Sequence, residues 1–179
     1  MRRLATGTVL ALAAASMACA PRPDAATAPV VVVTIFPVAD LVARVAGGAL
    51  DVRTLLPTRA SPSTWEATPA QVREVSHAAG FVTVGGGLDG WLDHAAGLDA
   101  PLRLRLTDGL ELRNAEHGHA EGESGDPHVW LDPVLVRDAL LPRIADFVRA
   151  LAPADAPGVS RRAAALADSL TALDGEIRE

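Results

Sequence analysis

One cysteine, Cys19, stands in a chain of 179 residues, so neither an internal disulfide framework nor a CxxC metal or redox motif is available. HExxH and GxSxG are also missing, which removes the familiar signatures of zinc-protease and serine-hydrolase chemistry. Gly85-Gly86-Gly87 follows an apolar run but lacks the Lys-Ser/Thr of a phosphate loop. No Lys/Arg-rich run occurs outside the extreme N-terminus, and 16 Lys+Arg against 22 Asp+Glu give a net charge of −6 with neutral His. Nucleic acid is therefore not an expected partner. The apolar run Leu4–Ala15 falls short of the roughly 20 residues that span a bilayer.

What is present starts with an export signal. Arg2 and Arg3 precede that apolar run, and small residues close it at SMACA, so residues 1–18 read as a signal peptide and the mature protein as exported, periplasmic or extracytoplasmic. Two processing outcomes are compatible with the residues. Cys19 resembles the lipid-acceptor cysteine of bacterial lipoproteins, with Ser16 in place of the usual Leu, and would anchor the chain to the membrane through the tether 19–28. Alternatively, Ala18-Cys19-Ala20 is an AxA cleavage site that releases a soluble protein.

The 49% hydrophobic content can fill the core of one domain, or of one lobe of something larger. PVVVVTIF is a continuous β-branched run, expected as a strand covered on both faces; PVADLVARVAGG follows with apolar residues at helical spacing. DVRTLLP, FVTVGGG and the alternating LRLRLTD read as further strands, PAQVREVSHAAG as a helix begun by Pro69, and GLDGWLDHAAGL as a helix with Leu88, Trp91, Leu92 and Ala95 on one face. The alternation predicts an α/β fold with a mainly parallel sheet flanked by helices, and ligands beyond the carboxyl ends of its strands. From Val159, the residues Ala163, Leu166, Leu170, Leu173 and Ile177 continue an amphipathic stripe to the last turns of the chain.

Two proline-flanked loops, Pro62-Ser63-Thr64-Trp65-Glu66 and Pro127-His128-Val129-Trp130-Leu131, share one pattern of Pro, polar residue and aromatic. With TIFPVADLVARVAGG, VRTLLP, SPSTWEATPAQV, FVTVGGGLDGWLD and DPHVWLDP in this order, nearly all of the mature chain resembles the periplasmic or lipoprotein metal-binding proteins of zinc and manganese ABC importers. DPHVWLDP is the most specific of these motifs. The resemblance implies an N-terminal metal-binding lobe at 29–155 and, at 156–179, the start of a long helix to a C-terminal lobe that this chain lacks. It also implies capture of Zn²⁺ or Mn²⁺, delivery to an ABC transporter membrane permease, and no enzymatic activity. A diverged homologue with weak or no metal binding, acting as a surface lipoprotein that binds another protein, is the alternative.

By the same resemblance His128 occupies the place of a metal-binding histidine, and its imidazole suits either ion. Asp126 or Asp132 would orient the ring. Ser63 stands where the family has its first histidine, leaving a hydroxyl as a weak ligand. Glu66 is expected to cap the helix near Pro69 rather than to ligate. His117 and His119 lie in an acidic loop that resembles the His-rich arm of zinc importers, and they read either as weak zinc collectors or as solvated residues. His77 and His94 read as surface residues, and Trp65 and Trp130 as hydrophobic anchors of their loops.

Overall fold

The computed structural model describes residues 28–62, 64–93, 100–112 and 125–179. Four short strands, β1 (Val30–Val33), β2 (Asp51–Thr54), β3 (Gly80–Thr83) and β4 (Leu102–Arg105), form one sheet in the order β2-β1-β3-β4. Every pairing is parallel, with Val32 beside Arg53 on one side and beside Phe81 on the other. The predicted α/β class and parallel sheet are what the chain forms.

The VVVV run explains why β1 is central. Val31 and Val33 are fully buried on one face, among α1 (Phe36–Ala46) and residues Val136–Val159, while Val32 points to the other face, among Leu55, Val75, Ala78 and Phe81. A strand with apolar neighbours on both sides cannot alternate with polar residues, and this one does not. β4, at the edge, does alternate: its leucines are half-buried and its arginines exposed.

Helix α1 buries Val38, Val42 and Val45 completely, a stripe at helical spacing. It stops at Gly47, whose N–H still donates to the Ala43 carbonyl at 2.8 Å and whose left-handed φ of 54° then turns the chain out of the helix. Helix α2 (Pro69–His77) begins differently from the expectation for Glu66. Thr68 is the cap: its hydroxyl accepts from the Gln71 N–H at 3.4 Å, and the Gln71 side chain accepts from the Thr68 N–H at 3.0 Å. Glu66 is exposed and two residues too early for that reciprocal geometry.

The helix expected over GLDGWLDHAAGL is corrected over its described part, residues 87–93, while residues 94–98, Ala95 of the expected face among them, lie outside the described residues. Gly85–Gly87 all take positive φ, the chain turns through Asp89, and the described residues form only one 3₁₀ turn, Gly90–Asp93. Leu88 packs into the core on one face of the sheet and Leu92 into the core on the other, so the two do not share a helical face.

After the His128 loop, α3 (Pro133–Leu135) passes through a π-helical segment (Val136–Leu140) into α4 (Leu141–Leu151). Pro142 has no N–H to continue a regular ladder, and the wide turn lies immediately before it. The last helix, α5 (Ala156–Arg178), seats Val159, Ala163, Leu166 and Leu170 against the core of α1 and α4; Leu173 and Ile177 further along are exposed. Arg162 fastens α5 to the end of α1: Nε donates to the Val45 carbonyl at 2.8 Å, and Nη2 donates to the Ala46 carbonyl at 2.9 Å and to Asp155 at 2.7 Å.

Candidate metal centre

In a parallel sheet the crevice opens where neighbouring strands send their following segments to opposite sides. Here that point lies between β1 and β3, because β2 is added on one side of β1 while β3 and β4 are added on the other. The loops after β3 and β4 shape the ground on which His128 stands.

His128 sits in a loop stiffened from both ends. Pro127 beneath it is buried, Val129 after it is 4% exposed and anchors the 3₁₀ turn Val129–Leu131, and the Val129 N–H returns to the Pro127 carbonyl at 2.8 Å. The imidazole itself is about half exposed. Its Nδ1 lies 2.6 Å from Asp126 Oδ1, and the same oxygen accepts the His128 backbone N–H at 3.0 Å. A carboxylate can only accept, so Nδ1 carries a proton, and in the neutral ring the lone pair is left on Nε2. In that tautomer Nε2 is the nitrogen available to a metal, with the other ring N–H held by a carboxylate. Trp130, half-buried against the core, holds the ring from another side with centroids 5.1 Å apart.

Asp132 has a different task. Its Oδ1 accepts the N–H groups of Val134 and Leu135 at 2.9 and 3.0 Å, capping α3. Of the two aspartates that flank His128, Asp126 orients the ring and Asp132 fixes the helix that leaves the loop. His128 opens onto a groove of about 520 Å³ whose walls include Leu112, Leu131, Leu135, Asp174 and Ile177.

The other sequence-derived candidates divide in two. Ser63, His94, His117, His119 and Cys19 lie outside the described residues. Trp65 is half-buried against the core around Val32 and Leu55, as an anchor should be. His77 is exposed at the end of α2, with Nδ1 2.8 Å from the Arg73 carbonyl. Among the described residues no three His, Cys, Asp or Glu side chains converge as a metal cluster, so His128 stands there as a single oriented donor.

One polar centre escaped the sequence reading. Asp89 is 5% exposed and accepts three hydrogen bonds: Oδ2 from the Val84 N–H at 2.7 Å and the Thr34 hydroxyl at 3.1 Å, and Oδ1 from the Gly85 N–H at 2.8 Å. Burial pushes its carboxyl above the ordinary value, and those donors only partly offset the rise. A carboxylate two residues after a triple glycine was the available signal.

Comparison with known proteins places this geometry in context. The family model described as "Zinc-uptake complex component A periplasmic" matches residues 31–179. The zinc-binding lipoprotein AdcA of Streptococcus pneumoniae serotype 4 is 28% identical over 158 residues, 80% of this chain and 31% of its own. The high-affinity zinc uptake system protein ZnuA of Bacillus subtilis is 30% identical over 119 residues, 60% of this chain and 37% of its own. The chain thus spans about a third of the length of these curated relatives. Among solved structures, Zn(II)-bound AdcA from S. pneumoniae superposes with a TM-score of 0.71 at 26% identity, covering 83% of this chain and 32% of that one. The metal-dependent lipoprotein YcdH of B. subtilis gives 0.72 at 25% identity, covering 84% and 55%.

Proposed function

Because the chain belongs to the zinc-uptake complex component A periplasmic family, we propose that it captures zinc as cargo and hands it to an ABC transporter permease, by binding and release rather than catalysis. The observation that carries the reading is His128: a half-exposed imidazole that lines an open groove and is held by Asp126 through Nδ1, which leaves Nε2 as its free donor atom. Zinc is favoured over manganese by the relatives' own names, and imidazole nitrogen suits it.

Residues 29–155 act as the metal-binding lobe, and α5 is the helix that leaves it. A single imidazole cannot complete the roughly tetrahedral shell that zinc prefers, and no ready-made group of three donors stands among the described residues, so further donors must join His128. Ser63 contributes weakly at most, being a hydroxyl, and His117 and His119 collect zinc from their acidic loop. The protein works outside the cytoplasm, tethered to the membrane through a lipid on Cys19.

Equilibrium dialysis of the chain against zinc tests the reading. His128→Ala should weaken binding by about tenfold or more, and Ser63→Ala should weaken it less. Zinc binding that survives His128→Ala unchanged would overturn it.

A further inference from the structure

The segment after β3 is unusual in its backbone: Gly85, Gly86 and Gly87 take φ of 84°, 58° and 80° in succession. Glycine reaches positive φ without steric cost, so what opposes holding three of them in one conformation is lost chain entropy, which fixed hydrogen bonds must offset. Those bonds converge on Asp89, whose two carboxylate oxygens accept the Val84 and Gly85 N–H groups while the Thr34 hydroxyl ties the same carboxylate to the end of β1. Thr107 closes the other side, with its hydroxyl donating to the Val84 carbonyl at 2.8 Å.

The loop built this way bears on the metal centre. A Cβ placed on Gly86 would lie 2.9 Å from Leu112 Cδ1 and 3.3 Å from Pro127 Cβ, so Leu112 and the residue that precedes His128 close over the side of Gly86 where a side chain would stand. Gly87, with a similar φ, has nothing within 4 Å of the same position.

We propose that Asp89 is a positioning residue for His128: it fixes the Gly85–Gly87 turn as a platform, Pro127 rests on Gly86, and the seat of Pro127 sets where the His128 imidazole points. The chain of contacts runs from Thr34 at the switch point of the sheet to the free ring nitrogen. This rests on the reading of His128 as a zinc donor for its consequence, but the positioning itself concerns the metal-free protein.

The test separates the two. In the metal-free full chain, the His128 ring signals are assigned by their loss in His128→Gln, and their chemical shifts are compared among variants at one pH. Gly86→Ala adds backbone strain, an overlap with the Leu112 methyl and a tight approach to Pro127, Gly87→Ala adds the strain alone, and Asp89→Asn removes an acceptor from beneath the turn. Positioning predicts that Gly86→Ala and Asp89→Asn displace the His128 ring signals while Gly87→Ala leaves them in place. In zinc dialysis it predicts a loss of about tenfold for the same two variants, the size of effect usual for a group that orients a ligand. Should Asp89→Asn not fold, the contrast between Gly86→Ala and Gly87→Ala decides. His128 signals equally placed in those two variants would overturn the inference whatever the zinc affinity. Displaced signals with zinc binding indifferent to His128→Ala would uphold the positioning and sink the zinc reading.

Discussion

A single oxygen, Oδ1 of Asp126, accepts both the backbone N–H and the ring Nδ1–H of His128, at 3.0 and 2.6 Å. The two bonds fix the loop and the tautomer together, so the residue that shapes the turn also determines which nitrogen is left to a metal. Asp126→Ala should therefore reduce zinc affinity by about tenfold. The pair is about half exposed, so thermal unfolding should stay within about 0.5 kcal/mol of the wild type. Calorimetry of binding and of unfolding on the same variant checks both halves.

The capping correction has its own test. Thr68→Ala removes the hydroxyl that accepts the Gln71 N–H and should cost about 1 kcal/mol in urea unfolding. Glu66→Ala, at an exposed position outside the cap, should change stability by less than about 0.5 kcal/mol. The reverse order would restore Glu66 as the cap.

These two residues also show what the sequence could and could not disclose. Pro69 marked the start of α2 because a proline at a helix's first position has a physical reason visible in one letter. Thr68 was legible as well, because Thr68-Pro69-Ala70-Gln71 fits the Ser/Thr-x-x-Glu/Gln capping pattern; the charge of Glu66 was the misleading signal. The VVVV run disclosed a doubly covered strand because burial on both faces leaves no room for alternation. Leu88 and Leu92 misled, since their four-residue spacing fits a helix, whereas the glycine turn sends them into opposite cores. At the candidate site, the prolines around His128 announced a rigid loop. The division of labour between Asp126 and Asp132, and the burial of Asp89 beneath Gly85, arise only once distant strands meet.

Arg162 is the fastening between α1 and α5, with two carbonyls and Asp155 as acceptors. Arg162→Met keeps much of the aliphatic stem but leaves the Val45 and Ala46 carbonyls without that donor. A loss of about 2 kcal/mol in chemical unfolding is expected. No change would mean that packing of Val159 and its neighbours alone holds α5.

Asp89 gives stability an acid-side dependence. Burial holds its carboxyl above the ordinary value of 3.8, so the folded state binds the proton more tightly than the unfolded one. Its contribution is fully present below the ordinary value and is lost as pH rises through the raised one. Asn has no proton to lose. Urea unfolding should therefore show the stability of the wild type relative to Asp89→Asn falling as pH rises from below 3.8 through the raised value. Asp138 and Asp174, whose carboxyls are lowered by Arg137 and Arg178, lose stability toward acid in both proteins and cancel in the difference. A relative stability that rises over the same range would contradict the burial argument.

The central claim is that His128 coordinates zinc directly, and X-ray absorption at the zinc edge reads that contact. In a background carrying His117→Ala and His119→Ala, the zinc-loaded chain should show an imidazole shell with Zn–N near 2.0–2.1 Å, roughly the distance usual for histidine ligands. Adding His128→Ala should remove the imidazole scattering from that shell. Spectra that are the same with and without His128 would contradict the account.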